Sequence, residues 1–409
     1  MKFLIYEHVA GGGYANRVIP PSLLSEGYGM LTGLVSDFRA MGHEVSTLLD
    51  SRVMKFNPPL EATEVHPISS RTDLKESLQN LSRSADGVYL IAPESSGILS
   101  KLIGAVVEVG GASLNCSIEG IERCSDKMLL YDTLKASGLP VPETVTVNGN
   151  ENLGTVKRIV KDMGFPLIFK PRDGVGCAGL SFVAENAHIE GAVKKVSKES
   201  LGKPFIVQRF VKGTPASVSL ISTGDRALPM TLNEQLLTLA PPNLDSSYLG
   251  GTVPLHHPVE KKALEIAKEL LEALKGLRGY VGFDLVLTGE GPVIVEVNPR
   301  LTTSYVGLRK VVDANLSKLL VNSVLEASLP ERIKLLGYAV FSKVKIRKPT
   351  ATALRRTYSM AEVATPPFPV GNSPHSYTLL VTHCPTLERA KSSLERAKRS
   401  LLTIIRKSV

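Results

Sequence analysis

Tryptophan is absent from the 409-residue chain, and aromatic residues make up only 5% of it. Its four cysteines (Cys116, Cys124, Cys177 and Cys384) form no C-x-x-C pair, which excludes a disulfide framework and makes a reducing, cytoplasmic setting the expectation. The eight histidines show no H-E-x-x-H or H-x(3–5)-H spacing. His256-His257, ahead of Pro258, reads as a loop cap rather than a zinc pair. No apolar run approaches the ~20 residues needed to span a bilayer, so no membrane association is expected. The opening stretch Phe3-Leu4-Ile5-Tyr6 is too short for a signal peptide and reads as a first strand. Internal repeats and low-complexity tracts are missing as well.

Net positive charge is confined to the end. Residues 331–409 hold 15 basic and 4 acidic residues, whereas residues 1–330 hold 33 and 35. The overall charge of +9 therefore belongs to the tail. With few aromatics there and no base-reading motif, nucleic-acid binding is not expected, and the tail reads as a solvated basic face or one that meets a polyanion.

What the chain does have is a folded composition, 43% hydrophobic and 21% charged, in a length that exceeds the ~250–300 residues at which single cores stop growing. Three units are expected, at 1–115, 116–330 and 331–409. The first alternates strand and helix: a strand at Phe3–Glu7, helical spacing from Leu23 to Met41, strands at His43–Leu49 and Gly87–Ala92, helices near Arg71–Ala85 and Ile98–Val109. That order implies a small parallel sheet flanked by helices, with Glu7 and Gly11-Gly12-Gly13 at its ligand-binding crest. The middle is an antiparallel, hairpin-rich α+β region. It has a helix at Ser125–Ser137 and strands at Phe165–Lys170 and Leu180–Val183. A strand pair, Pro204–Phe210 with Ala216–Ser222, turns at Lys212-Gly213. A helix at Glu260–Gly276 leads to the hairpin Tyr280–Leu287 with Val293–Val297. The tail has strands near Tyr338–Ile346 and Ser376–Val381 and a basic helix over Thr386–Lys407.

Two motifs carry chemistry. Gly174-Val175-Gly176-Cys177-Ala178-Gly179 fits G-x-G-x-x-G, which in a dinucleotide site must open a helix. Here β-formers follow, Leu180-Ser181-Phe182-Val183, so the motif sits in a hairpin and reads as a flap whose backbone N–H groups cover phosphates. A tight turn and a nicotinamide site are the alternatives. Cys177 has no activating neighbour in sequence and reads as inert. In the second motif, Glu296 and Asn298 share one face of a strand and Asp284 faces them from the preceding strand. Two carboxylates and an amide oxygen suit Mg²⁺ or Mn²⁺. Arg300 adds a guanidinium fork for a phosphoryl oxygen.

The order Ser125-Asp126-Lys127, Phe169-Lys170-Pro171, glycine loop, Gln208-Arg209-Phe210-Val211-Lys212-Gly213, Gly282-Phe283-Asp284 and Glu296-Val297-Asn298-Pro299-Arg300 resembles the ATP-grasp ligases, over roughly Ser125 to Tyr305. Gly250-Gly251-Thr252-Val253-Pro254 and the run from Asn298 to Ser304 resemble the archaeal tyramine–L-glutamate ligase group within it. The resemblance implies a parallel α/β pre-grasp domain (1–115), a two-lobed ATP-grasp core (116–330) and a basic α+β segment (331–409). It implies an ATP- and Mg²⁺-dependent carboxylate–amine ligase working through an acyl phosphate on small-molecule substrates, such as glutamate and tyramine, and is compatible with a homodimer. By the same resemblance Lys127, Lys170 and the loop Gly174, Val175, Gly176, Cys177 and Gly179 hold ATP phosphates. Gln208, Arg209, Phe210 and Val211 hold adenine, while Asp284, Glu296 and Asn298 hold the metal. Arg300 and Lys170 act on the transferred phosphoryl. One departure is Pro215, which stands where many members place a ribose-binding acid. Candidate substrate residues are Glu7, for a substrate ammonium, with Glu234 (in Asn233-Glu234-Gln235), Gly250, Gly251, Thr302 and Thr303. A nucleotide-binding protein without ligase activity is the alternative reading.

Overall fold

The computed structural model describes residues 1–174 and 176–406. The chain begins with a four-stranded parallel sheet of order β3-β2-β1-β4: β1 (Lys2–Glu7), β2 (Glu44–Asp50), β3 (Glu64–Ile68) and β4 (Gly87–Ile91). β3 was not expected from sequence. It carries Pro67 and lies at the sheet edge, where a missing N–H costs no ladder bond. Helix α1 (Pro21–Ala40) starts on a proline already set at helical φ. It buries Leu24, Tyr28, Leu31, Leu34, Val35 and Phe38 along one broad face. Short α2 (Ser51–Met54), α3 (Leu74–Ser82) and α4 (Ile98–Glu108) complete this layer.

α5 (Ile118–Ser125), not expected from sequence, precedes α6 (Lys127–Ala136), which is the helix expected over Ser125–Ser137. Asp126 is extended between them (φ −89°, ψ 104°). Its Oδ1 accepts the Met128 and Leu129 amides at 3.0 and 3.2 Å, an N-cap that starts the second helix. Beyond it stands a small antiparallel sheet of β5 (Thr144–Val147), β6 (Leu167–Pro171), β7 (Ser181–Val183) and β8 (Phe205–Arg209), ordered β5-β8-β6-β7. Helices α7 (Leu153–Met163) and α8 (Ile189–Glu199) cover it, packing Val156, Val160, Ala192 and Val196 on Phe169 and Phe205.

An eight-stranded antiparallel sheet forms the rest: β9 (Thr214–Ser222), β10 (Ala227–Thr238), β11 (Ser247–Val253), β12 (Gly279–Leu287), β13 (Pro292–Asn298), β14 (Tyr338–Arg347), β15 (Val363–Thr365) and β16 (His375–Cys384), in the order β13-β12-β9-β10-β11-β14-β16-β15. The strands expected to pair across Lys212-Gly213 do not. β8 belongs to the small sheet and β9 to the large one, and each buries its apolar residues in its own core. The connection is tight, because a Cβ on Gly213 would lie 2.2 Å from the Leu287 carbonyl. The fold is thus α/β plus α+β, as the sequence implied.

Five more helices pack around the large sheet: α9 (Glu260–Ala273), α10 (Tyr305–Val311), α11 (Leu316–Leu325), α12 (Ala351–Thr357) and α13 (Leu387–Arg406). The strands after residue 331 continue this sheet, with Gly251 of β11 opposite Phe341 of β14. α13 buries Ala390, Leu394, Ala397 and Leu401 and leaves Arg389, Lys391, Arg396 and Arg399 in solvent. No helix among the described residues is long and apolar enough to cross a membrane.

α1 is clamped to the C-terminal half by Asp37. Its carboxylate accepts the Tyr305 hydroxyl at 2.5 Å and the Arg309 guanidinium at 3.0 and 2.6 Å. Asp37→Ala leaves that guanidinium without its partner, and a loss of about 3–5 kcal/mol is expected, read as an earlier unfolding midpoint. The pair of changes Asp37→Leu and Arg309→Met should recover most of it. A single variant as stable as the wild type would overturn this account.

Candidate active site

The three layers meet around a cavity of about 530 Å³. Its charged floor comes from the β12–β13 hairpin. Asp284 sits opposite Glu296, and Gly282 opposite Asn298, so the three polar side chains share one face as their spacing predicts. Asp284 accepts the Gln235 amide at 2.8 Å and the Asn298 amide at 3.5 Å. The sequence suggested no base among these acceptors, but one reaches them. Lys127, the first residue of α6, places Nζ 3.0 Å from Glu296 Oε1 and 2.5 Å from the Gly174 carbonyl.

These groups set one another's protonation. Burial, then the Glu296 charge, pushes Asp284 up to about 7 against the two amide bonds. Burial also raises Glu296, but Lys127 and Lys170 outweigh it and hold Glu296 below the usual carboxylate range. Lys170, on β6, is brought down to about 8 by burial, with Glu296 opposing. Among the described residues no cation is bonded to Asp284. Two half-buried carboxylates beside a buried amide side chain form a hard-oxygen donor set that could hold Mg²⁺ or Mn²⁺. Among the described residues no cluster of three or more Asp, Glu, His or Cys side chains is arranged to bind a metal, so Asn298 and non-protein oxygens would have to complete such a site.

Arg300 lines the cavity, but its fork is occupied. Nε and Nη2 donate to Glu94 at 2.7 and 3.4 Å, and Nη1 donates to the Leu301 carbonyl. Glu94 is buried and was missed from sequence, although Pro93-Glu94 at the carboxyl end of β4 is where a parallel sheet presents ligands.

The G-x-G-x-x-G segment joins antiparallel β6 and β7 as a hairpin, with Phe169 opposite Ser181. Gly174, Gly176 and Cys177 line the cavity. Gly179, at φ +70°, does not. It packs on Glu199, whose Cβ would be 2.8 Å from an added methyl. Val175 lies outside the described residues. Burial pushes the Cys177 thiol up to about 11, in keeping with an inert residue. Gln208, Arg209, Phe210 and Val211 all line the opposite wall. The Gln208 amide donates to Thr144, Arg209 pairs with Glu143 at 2.7 Å, and the Phe210 ring meets Phe182 edge-on. Pro215 lines this wall too.

Of the substrate candidates, Glu7, Thr302 and Thr303 line the cavity. Glu234 does not. Alternation along β10 turns Gln235 inward and Glu234 outward, where it accepts the Thr252 hydroxyl at 2.8 Å. Gly250 and Gly251 are also away from the cavity. A Cβ on either would lie 2.1 Å from a carbonyl of a flanking strand, so they let β11 lie close to its neighbours. Gly11-Gly12-Gly13, expected at the ligand crest, packs on Tyr6, Ile68 and His8 instead.

Residues 124–304 match the ATP-grasp domain family and residues 43–121 the pre ATP-grasp 3 domain. The chain carries an ATP-grasp domain and is a ligase. It is 25% identical to tyramine–L-glutamate ligase from Methanocaldococcus jannaschii, over 81% of the chain and 92% of that relative. In fold the ligase is similar to an ATP-grasp superfamily protein from Archaeoglobus fulgidus (TM-score 0.63, 21% identity, covering 93% of this chain and 99% of that one). Biotin carboxylase from Campylobacter jejuni gives a TM-score of 0.71 at 15% identity, over 97% and 90% of the two chains.

Burial of carboxyl groups gives the stability of this protein a pH dependence. Burial pushes Glu7 up to about 7 despite hydrogen bonds from Val9 and Ala10 and the nearby Arg300 charge. A carboxyl that binds its proton more tightly when folded stabilises fully below its unfolded pKa near 4.5, and that contribution is lost as pH rises to about 7. Asp284 acts in the same sense, while Lys170 acts only above about pH 8. Glu7→Gln should flatten the stability–pH curve between pH 4.5 and 7 by about 3 kcal/mol, measured as denaturation midpoints in chelator-treated buffer. An unchanged slope would contradict the burial argument.

Proposed function

We propose that this ligase uses ATP to join a carboxylic acid to an amine through an acyl phosphate, with Mg²⁺ or Mn²⁺ as metal. The observation that carries this reading is the convergence of Lys127, Lys170 and Arg300 with the Asp284–Glu296–Asn298 face in one cavity under a glycine hairpin. Glutamate as acid and tyramine as amine are taken from the relative noted above.

In this reading the 208–211 wall takes adenine through its backbone, with Ile168, Leu285 and Val286 among the apolar side chains that line the same cavity. Pro215 offers no donor or acceptor side chain to ribose, so the sugar is held less tightly than the phosphates. Lys127 and Lys170 meet the phosphates, and the former trades part of its contact with Glu296 for them. Asp284, Glu296 and Asn298 would hold the divalent cation, which when bound offsets phosphate charge. Arg300 faces the transferred phosphoryl while Glu94 fixes its plane.

A carboxylate oxygen of the acid attacks the γ-phosphorus, and the bond to the β-phosphate oxygen breaks to release ADP. The amine nitrogen then adds to the acyl carbon. Phosphate departs with the C–O bonding pair, and the nitrogen gives up a proton to leave a neutral amide. Water would intercept the acyl phosphate, so the hairpin over Gly174–Cys177 must exclude it.

Sustained ADP release is expected only when ATP, metal, glutamate and a nucleophile able to take up the acyl group are all present. Lys170→Met, Asp284→Ala and Glu296→Ala should each lower kcat at least ~100-fold, on the scale of removing one preorganised charge contact. Wild-type nucleotide turnover in the two carboxylate variants would falsify the metal assignment. Tight ATP binding with no ADP from any acid–amine pair would instead favour a non-catalytic nucleotide-binding protein.

A further inference from the structure

The cavity is electrically lopsided. Its cations, Lys127, Lys170, Arg209 and Arg300, come from α6, β6, β8 and the segment after β13. The wall contributed by the N-terminal layer contains no cation at all. That wall is apolar (Val9, Leu23, Met30 and Ile91 among others) apart from two carboxylates, Glu7 and Glu26.

The two carboxylates are not equivalent. Glu26 is already neutralised, because Lys343 of β14 places Nζ 2.5 Å from Oε1 and the Thr303 hydroxyl donates to Oε2. Glu7 is only 3% exposed, and among the described residues its oxygens are met by two backbone amides alone, Val9 at 3.1 Å and Ala10 at 2.7 Å. Arg300 acts on it through space, but that guanidinium is bonded to Glu94. Room for the Glu7 carboxylate is kept by Gly27, where a Cβ would fall 2.4 Å from Glu7 Cδ. A buried carboxylate without a bonded cation is costly, and here it faces a cavity where a cation can be supplied from outside.

We propose that Glu7 is the counter-charge for the ammonium group of the amine substrate, and that this amine is a monocation with an uncharged, largely apolar body lying along α1. The inference rests on the carboxylate–amine reading above and deepens it. With Glu26 matched by Lys343, one negative charge is left over, which selects one ammonium rather than two. A carboxylate on the amine would meet both Glu7 and Glu26, so amino acids are rejected as acceptors. The acid substrate is drawn to the cationic side of the cavity instead. An ammonium on an amino-acid donor presents the same chemistry, and the experiment separates the two sources.

The test begins with the wild-type protein, ATP, Mg²⁺, glutamate and hydroxylamine, a small neutral nucleophile that needs no ammonium site. Hydroxamate formation is expected. Its absence overturns the acyl-phosphate reading and this proposal with it. With hydroxamate formed, amines are compared by kcat/KM. Tyramine, phenethylamine and hexylamine should be accepted over putrescine and glycine, and a preference for the diamine or the amino acid would overturn the proposal. Glu7→Gln should raise the KM of the best amine about 10- to 100-fold, the usual worth of a hydrogen bond to a charged group. The KM of glutamate should rise at least fivefold less. A rise confined to glutamate would assign Glu7 to the donor's ammonium, and no rise in either would remove it from recognition. Should Glu7→Gln fail to fold, Met30→Ala reads the same wall. It should lower the kcat/KM ratio of tyramine over methylamine, and an unchanged ratio would place the amine elsewhere.

Discussion

An ammonium and a carboxylate 3.0 Å apart, Lys127 and Glu296, hold together the point where the two antiparallel sheets face each other. Lys127 starts α6, Glu296 lies on β13, and the same Nζ reaches the hairpin between β6 and β7 through the Gly174 carbonyl. Neither side chain is well solvated, at 9% and 20% exposure, so each depends on the other to offset the cost of leaving water. The neighbouring charges then fall into a strict order. Glu94 engages Arg300, and Glu296 engages Lys127 and shares the field of Lys170. Apart from the closed pairs Arg209–Glu143 and Lys343–Glu26, three cations thus face four carboxylates, and the two without a bonded cation among the described residues, Asp284 and Glu7, are the ones whose carboxyls are pushed up to about 7. A site that is short of positive charge, next to glycine backbone and lysines, is in a state to accept a cation and a polyanion together. The polyanion alone would worsen the imbalance, and the cation brought with it offsets that.

Much of this was legible in the sequence wherever the information is local. Residues 284, 296 and 298 lie within one hairpin, so strand alternation alone put them on one face. The hairpin setting of the glycine motif followed from the β-formers after it, and the parallel order of the first layer from alternating periodicities. What escaped involves partners far apart in the chain. Arg300 meets Glu94, Gln235 meets Asp284, and Lys343 meets Glu26 across intervals of 206, 49 and 317 residues, and no short pattern encodes such pairs. Glu234 and Gln235 could not be told apart from sequence because the register of β10 is set by its neighbours, not by its own residues. The mispairing of β8 with β9 has a similar origin. A Lys-Gly turn between two apolar strands is the usual sign of a hairpin, and only the existence of two separate cores sends the strands apart. β3 hid behind its proline, and Asp126 looked like helix interior until its side chain was seen capping.

The lobe built on β5–β8 has a core of its own, and it touches the N-terminal layer through polar contacts such as the Ser96 amide on the Asp173 carboxylate at 2.9 Å. Contacts of that kind open at small cost compared with the apolar faces elsewhere in the molecule. The charged floor belongs to the large sheet, and the glycine hairpin to the small lobe. Access to the one is therefore governed by the position of the other, and the cores on either side need not be disturbed.

α1 is covered on its far side by strands from the opposite end of the chain. Gly29 lies against Leu379 and Thr365, and the Thr365 hydroxyl donates to the Ser25 carbonyl. The helix emerges from the ribosome more than 300 residues before those strands do. At ordinary elongation rates of about 5–20 residues per second, its apolar flank is exposed for tens of seconds, with nothing yet made that can cover it. The flank of α1 that carries Ser25 and Gly29 is thus the last part of the N-terminal layer to be covered as the chain is made.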